Sequence, residues 1–375
     1  MVGDENLKGL NGLIVRAGRA FDKSLTHASG TLFDRRPSLA YVSGYLGFGN
    51  LGDEALFLSA KRIFNRLAVV HYDNSRTLKL LHKLLPSYKA GVLAGGTLIN
   101  RQPEYYQAAE DFVRKYRKFY IFGTGVVHPD FWWAGRNGYV DMMHRWKPLL
   151  ERCSYVGVRG PLSAEILSEA GVRGVEVIGD PVLAFAEELP GQPYMRNAIG
   201  LNVGDVYEEV WGDQESIYSE LVRLAKRAAE ARWLVKWFVL RPGDVEITKR
   251  VALESNTAAY VIETYHDPGR FLREVGSLSV FVGMKLHAVV LATCAYVPSI
   301  SIQYQPKCLD YMRSIGQEAV AIRSDKFKGE ETWEIVQSLA CERELRSAFL
   351  FEEIRRLRER QQAKADEITN EILEL

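Results

Sequence analysis

The feature that most limits what this chain can fold into is a repeated alternation. A short, apolar, β-rich run is followed by a glycine-bearing loop and then by a segment with helical spacing. From Ser38 the β-rich runs fall at 39–45, 67–72, 90–94, 118–123, 154–158 and 175–178, and the helical stretches near 53–66, 76–85, 103–117, 137–151 and 161–170. The runs are close to continuously apolar, which fits strands buried on both faces, and strands separated by helices pair in parallel. A Pro-, Gly- and Glu-rich stretch, 180–196, reads as a linker. The alternation then restarts, with strand-like runs at 198–203, 233–240, 258–262, 278–282, 299–302 and 319–322 and helical stretches near 214–231, 244–255, 268–275, 287–295 and 306–315. From Glu330 onward the chain reads as long charged helix, suited to packing back across the first lobe. The predicted architecture is therefore α/β. A lead-in at 1–37 precedes a Rossmann-like lobe at 38–190, a second such lobe at 191–329 and a helical tail at 330–375, with a cleft between the lobes.

Composition bounds the function. The chain has 375 residues, 47% of them hydrophobic, enough for two domains of the usual size. Its 48 basic and 47 acidic residues leave a formal charge of +1. That balance argues against nucleic acid or an anionic membrane as the main partner, while leaving room for a local cationic pocket. The four cysteines, Cys153, Cys294, Cys308 and Cys341, are far apart and form no C-x-x-C pair. No zinc site is expected, and reduced thiols in a cytoplasmic protein are. The N-terminal residues lack the basic start and apolar run of a signal peptide. The longest apolar stretch, 288–302, is broken by Pro298 and falls short of the roughly 20 residues that cross a bilayer. No membrane span is expected, which leaves peripheral association open.

Ligands of open parallel sheets bind beyond the carboxyl ends of the strands, so the loops there are where chemistry is sought. The first, Gly44-Tyr-Leu-Gly47-Phe-Gly49-Asn50-Leu-Gly52-Asp53-Glu54, lets the backbone turn tightly and presents N–H groups at a helix start, a setting for an anion. It equally suits a plain strand-to-helix turn with Asp53 as N-cap. Ala94-Gly95-Gly96-Thr97 is a second exposed-backbone loop, or a turn with Thr97 as cap. Gly123-Thr-Gly125-Val-Val-His128 carries a histidine, on a binding loop or simply at the surface. In Val158-Arg159-Gly160-Pro161 a guanidinium ends a buried strand, where it must be paired or face the cleft, and Pro161 starts the next helix. Lys285 and His287, in Gly283-Met-Lys-Leu-His-Ala288, interrupt an apolar stretch where burying both without purpose is costly. Tyr304 and Lys307 end the following strand. The loops 129–137, with Phe131-Trp132-Trp133, and 204–213 are further candidates to shape a pocket, those aromatics stacking on a ligand ring or packing among themselves.

In their order these motifs resemble the polysaccharide pyruvyl transferase family. The segment Gly44–Ala55 is similar to the family's opening motif, Ala94–Leu98 to its triple-glycine-serine loop, and Gly123-x-Gly125, Val158-Arg159-Gly160 and Gly179-Asp180-Pro181 to the loops that follow. Gly283–Ala288 resembles the family's Arg-Leu-His motif, with Tyr304-x-Pro306-Lys307 in the expected place. The resemblance spans about 41–316. It has two departures: Lys285 stands where the family usually has Arg, keeping the charge but losing the fork, and Ala94 replaces the first loop glycine.

The resemblance implies a GT-B-like pair of lobes, phosphoenolpyruvate as donor, a hexose of a glycan or its lipid-linked precursor as acceptor, and a cyclic pyruvate ketal as product. No cofactor or metal is expected. The donor carries about three negative charges, which Arg159 and Lys285 are expected to hold, helped by Gly47, Gly49, Asn50, Gly95, Gly96, Tyr304 and Lys307. An acid protonates the donor methylene and a base takes the hydroxyl protons, with His287 the first candidate and His128 and Asp53 behind it. A GT-B-type glycosyltransferase using a nucleotide sugar is the alternative; a non-catalytic glycan or nucleotide sensor is a third reading. On the first reading His287→Ala abolishes transfer in a ketal assay with the fold intact, and Arg159→Ala raises the donor KM by about tenfold or more, a loss of roughly 1.4 kcal/mol of donor binding.

Overall fold

The computed structural model describes residues 34–42, 46–72, 88–101, 103–116, 118–132, 138–186, 193–206 and 209–375. Among these residues the first sheet comprises β1 (Ser38–Val42), β2 (Ala68–Tyr72), β3 (Ala90–Ala94), β4 (Thr97–Ile99), β5 (Phe119–Val126), β6 (Tyr155–Val158) and β7 (Val175–Val177). Its order is β2-β1-β3-β5-β6-β7, with the short β4 beside β5, and every pairing is parallel. The second sheet holds β8 (Ala198–Asn202), β9 (Leu234–Val239), β10 (Val261–Glu263), β11 (Val280–Gly283), β12 (Ser299–Gln303) and β13 (Ala321–Arg323), all parallel, in the order β10-β9-β8-β11-β12-β13. Strands β1, β5, β8 and β12 are buried at every residue, as strands covered on both faces must be.

In each sheet the chain first winds one way and then the other. The order reverses between β1 and β3 in the first sheet and between β8 and β11 in the second. A crevice opens at the carboxyl ends of the strands at such a switch point. The helices that start there are α1 (Leu51–Ile63) in the first lobe and α8 (Leu286–Cys294) in the second, with α9 (Pro306–Ser314) following the adjacent strand β12. The intervening helices are α2 (Pro103–Tyr116), α3 (Met143–Leu150), α4 (Pro161–Glu169), α5 (Gln214–Glu230), α6 (Val245–Glu254) and α7 (Pro268–Gly276), and the tail consists of α10 (Gly329–Cys341) and α11 (Arg343–Leu373). Among the described residues no helix is long and apolar enough to cross a membrane.

The two lobes are not independent cores. Leu51, Ala55 and Leu56 of α1 and Val182, Leu183 and Phe185 belong to the same apolar cluster as the second sheet. The tail returns the other way: Ala365, Ile368 and Ile372 of α11 lie in a first-lobe cluster with Leu39, Phe64 and Phe122. Glu371 there accepts from Tyr120 Oη at 2.7 Å and pairs with Lys118. Gln361 of α11, almost wholly buried, donates to the backbone oxygens of Ile178 and Asp180 at 2.9 Å each.

Several elements differ from the sequence reading. Residues 180–186 are not linker. Asp180, Val182 and Leu183 are sealed, and Pro181–Phe185 forms a short 3-10 helix, because its apolar side chains complete the shared core. Of the rest of the expected linker, 187–196, residues 187–192 lie outside the described residues, as do the helix expected near 76–85 and most of the lead-in, 1–33. Helix α3 starts at Met143 rather than 137. Strand β4 was not expected; its three residues after the double-glycine turn pair with β5.

Ile368→Ala removes a side chain 3% exposed at the tail–lobe junction, and is expected to cost about 2–5 kcal/mol in chemical denaturation. A cost below about 1 kcal/mol would show that the tail is not an integral layer of the first lobe.

Candidate active site

Where the two switch points meet, the structure has an inter-lobe cavity of ≈ 250 Å³. The first lobe lines it with Asn50 and Asp53 of the first glycine loop and α1, Gly96, Thr97 and Leu98 after β3, Arg101, Tyr105 and Arg159. The second lobe contributes Asp205, Val206 and Glu209 after β8, Leu240, Arg241 and Asp244 after β9, Lys285, Leu286 and His287 after β11, and Tyr304, Gln305 and Lys307 after β12. A backbone bond spans the lobes at one edge, from Leu51 N to Leu240 O at 2.9 Å.

Arg159 has no exposed surface. Its guanidinium donates to Gly96 O at 3.0 Å, Thr97 Oγ1 at 3.2 Å and Asp310 Oδ2 at 3.1 Å. Asp310 lies on α9 of the second lobe and also accepts from Ser163 N at 2.9 Å and Ser163 Oγ at 2.8 Å. One carboxylate thus answers a first-lobe cation and caps the first turn of α4. The approach is close enough to require glycine at 160 and 125. A Cβ at Gly160 would lie 2.0 Å from Asp310 O, and one at Gly125 2.3 Å from Arg159 Nη2.

Most other cations of the crevice are also matched. Arg241 Nε donates to Asp244 Oδ1 at 2.8 Å, and Arg101 Nη2 lies 3.4 Å from Glu209 Oε2, across the lobes. Gln305 Nε2 holds the same Glu209 oxygen at 2.8 Å. Lys285 Nζ lies 3.7 Å from Asp244 Oδ1 and donates to Asp205 O, while its backbone N–H donates to Asn202 Oδ1 at 2.9 Å. Burial pushes Lys285 down to about 8 despite Asp244. Lys307, in the first turn of α9, differs. Its Nζ stands 4.7 Å from the Tyr304 ring centroid, and among the described residues no carboxylate comes within ion-pair distance. Burial, with Arg101 adding repulsion, pushes it down to about 7.

Two further groups are tuned toward proton transfer. His287 sits in the first turn of α8 with its ring over Gly52. A Cβ at that glycine would lie 2.3 Å from Nδ1, so only glycine admits the imidazole. Burial, reinforced by Arg159 and Lys307, pushes His287 down to about 3, leaving the ring neutral at physiological pH. Asp53, one residue from Gly52, accepts from Asn50 Nδ2 at 2.6 Å, and burial raises it to about 6. Burial thus places a carboxyl that holds its proton more readily than usual beside an unprotonated imidazole.

Of the residues singled out in the sequence, Asn50, Asp53, Gly96, Arg159, Lys285, His287, Tyr304 and Lys307 line this one cavity. Gly47, Gly49, Gly95 and His128 do not. Gly47 and Gly49 take positive φ in the turn before α1, and Gly47 N donates to Glu54 Oε1 at 2.8 Å. Gly95, also at positive φ, packs against Leu56. His128 accepts from Asp130 N at 3.2 Å and so caps a turn. Asn50, not Asp53, is the N-cap of α1, accepting from Gly52 N. Thr97 opens β4 instead of capping a helix. Phe131 and Trp132 pack rather than offer a sugar platform: both are buried, and Phe131 meets Trp211 of the second lobe at 4.8 Å between centroids. Trp133 lies outside the described residues.

The sequence reading missed Arg101, Arg241, Asp244, Gln305 and Asp310, and it marked the loop 204–213 without singling out its Asp205 and Glu209. Asn202-Val-Gly-Asp205 and Leu240-Arg-Pro-Gly-Asp244 carry the same strand-then-glycine signature as the loops that were chosen. Asp310, inside a helix, carries no such signal. Among the described residues no group of three His, Cys, Asp or Glu is placed to hold a metal ion.

Residues 50–306 match the family described as Polysaccharide pyruvyl transferase. No curated protein matches the chain. Among solved structures the chain is similar to the pneumococcal O-GlcNAc transferase GtfA in complex with UDP and GlcNAc, with 11% identity, coverage of 79% of this chain and 60% of that one, and a TM-score of 0.52. It is also similar to a putative UDP-N-acetylglucosamine 2-epimerase from Listeria monocytogenes, with 10% identity, coverage of 84% and 91%, and a TM-score of 0.51. At such identities the likeness shows the fold, which is GT-B-like.

Breaking the sealed pair by Arg159→Ala or Asp310→Ala is expected to cost about 3–5 kcal/mol each, because the partner charge stays buried. The double substitution should cost well under the sum in a double-mutant cycle. Additive costs would show that the two charges do not depend on each other.

Proposed function

The chain belongs to the polysaccharide pyruvyl transferase family and is a transferase, and from that premise we propose that its crevice takes phosphoenolpyruvate as donor and a hexose of a polysaccharide, or of its precursor, as acceptor. The supporting observation is the open cation. Lys307 projects into a cavity whose other cations are answered by carboxylates, and a small dense anion is the partner that balances it. The starts of α8 and α9 lack side-chain caps, so their first N–H groups add donors for phosphate or carboxylate oxygens. Lys285 lies alongside, partly engaged by Asp244. Arg159, its charge already matched, acts in this proposal by fixing the glycine loop that forms the floor.

The chemistry follows from the two tuned groups. Asp53, near neutrality, delivers a proton to the donor methylene carbon, and positive charge develops at the neighbouring carbon. A sugar hydroxyl adds there while His287, unprotonated and so free to accept, takes its proton. The carbon–oxygen bond to phosphate then breaks with its electron pair, and a second hydroxyl adds to the same carbon, closing the ketal. Phosphate leaves carrying the second hydroxyl's proton, so one donor and two hydroxyls give one ketal and one phosphate. The step is proposed without metal or cofactor. The likeness to proteins named for UDP sugars favours a second reading, a nucleotide-sugar donor in the same crevice.

Thermal shift with phosphoenolpyruvate against UDP- and GDP-sugars separates the two, with stabilisation by phosphoenolpyruvate expected. Stabilisation by a nucleotide sugar alone would overturn the donor assignment. Lys307 is cationic below about 7 and loses its charge as pH rises through that value, so the donor KM should rise across that range. Below about 6 the donor phosphate itself gains a proton, which places the lowest KM between the two. Lys307→Met should remove the part of the rise centred near 7, leaving the part that Lys285 adds near 8; an unchanged pH profile would exclude Lys307 from donor binding.

A further inference from the structure

The acid–base reading leaves one buried group unused. Asp180, completely sealed, stands behind His287 on the side away from Gly52. His287 Nε2 and Asp180 Oδ2 are 3.8 Å apart, both shut off from solvent and both without a hydrogen-bond partner. Two orphaned buried polar atoms facing each other are rare, since each is costly left alone. A shift of well under an ångström would bring them to the usual range of about 2.7–3.2 Å.

Arg159 Nε is also buried and unpartnered, but it lies beyond ion-pair distance of Asp180, which makes His287 Nε2 the nearer orphan. Its Oδ1 accepts from Val182 N at 3.0 Å, and its backbone oxygen is held by Gln361 of the tail. Cys294 Sγ donates to Val182 O, and the Tyr311 hydroxyl is engaged with Thr293 Oγ1. Burial raises Asp180 to about 6, which leaves it charged at neutral pH; Arg159 nearby favours the charged form, although three of its bonds go to Gly96, Thr97 and Asp310, and Asp310 adds a like charge. On the other side of the ring, Nδ1 lies over Gly52, next to Asp53 on the cavity wall.

We propose that Asp180 is the positioning residue of His287: its carboxylate accepts the Nε2–H, fixes the ring in that tautomer, and leaves the lone pair on Nδ1 for the acceptor hydroxyl. When Nδ1 takes the hydroxyl proton, the imidazolium holds protons on both nitrogens, and the carboxylate steadies the charge until the proton moves on. The long tail enters the site indirectly, since Gln361 holds the loop that carries Asp180. The catalytic meaning rests on the reading of His287 as the base of pyruvyl transfer; the tautomer does not.

The test uses the full chain labelled with 15N-histidine, without ligand, at neutral pH. His287 is assigned among the seven histidines by its loss in His287→Gln. Wild-type protein is expected to show a neutral ring protonated at Nε2. Asp180→Asn presents an amide donor instead and should move that proton to Nδ1. A wild-type ring protonated at Nδ1, or no change on substitution, would overturn the pairing. If Asp180→Asn fails to fold, the wild-type spectrum alone decides. In the transfer assay Asp180→Asn should lower kcat by about 100-fold or more, toward the roughly 10⁴-fold loss that a wrong tautomer causes, with the donor KM within about threefold; a raised KM with intact kcat would overturn the positioning role. The expected tautomers without detectable pyruvyl transfer would uphold the pairing and overturn only the assigned reaction.

Discussion

A guanidinium shut off from solvent must have its charge answered close by, and Arg159 finds that answer on the opposite lobe. Asp310 meets it at 3.1 Å and caps α4 through Ser163 in the same stroke. Such a pair adds little to stability against an apolar replacement, because desolvation consumes the attraction, but it defines geometry sharply. In the placement seen, the two charges answer each other across the lobes. The same guanidinium holds Gly96 and Thr97, so the pair sets both the crevice and the loop beneath it.

That fixed crevice gives burial its chemical effect. Away from water, the charged forms of Lys307 and His287 are disfavoured and the neutral form of Asp53 is favoured, bringing the lysine and the carboxyl near neutrality and keeping the histidine unprotonated. None of these shifts belongs to a residue type. They arise because α1, α8 and α9 begin at the same place, with Gly52 small enough for the imidazole to settle against the first turn of α1. The carboxylates of the second lobe then decide which cations stay available. Arg241 and Lys285 share Asp244, Arg101 has Glu209, and among the described residues Lys307 has no carboxylate within ion-pair distance.

The tail joins remote parts of this arrangement. Helix α11 follows the second lobe in sequence yet buries Ile368 and Ile372 in the first. Through Gln361 it holds the backbone of Ile178 and Asp180. The 3-10 turn that follows, packed into the core of the other lobe, is therefore pinned from both sides.

The alternation of apolar runs with helical segments, read from the sequence alone, determined the two parallel sheets, because strands buried on both faces need continuous apolar residues. Glycine after a strand marked loops at the carboxyl ends, and a basic residue or histidine in an apolar context marked Arg159, Lys285 and His287. That signal was blind to pairing. Asp310 and Arg159 are 151 positions apart, and a charge inside a helix looks like solvated surface until the helix is seen to pack. Asp180 looked like part of a linker because Pro, Gly and Glu follow it, although Val182, Leu183 and Phe185 fill the shared core. The glycines misled in part, since a positive φ serves a turn as readily as a ligand: Gly47, Gly49 and Gly95 shape the backbone while Gly96 reaches the cavity. Sequence fixes local periodicity and the chemical groups available. Which charges neutralise one another, and which proton carriers lose their water, was decided only when the lobes closed, because desolvation and Coulomb energy depend on distances that span the whole chain.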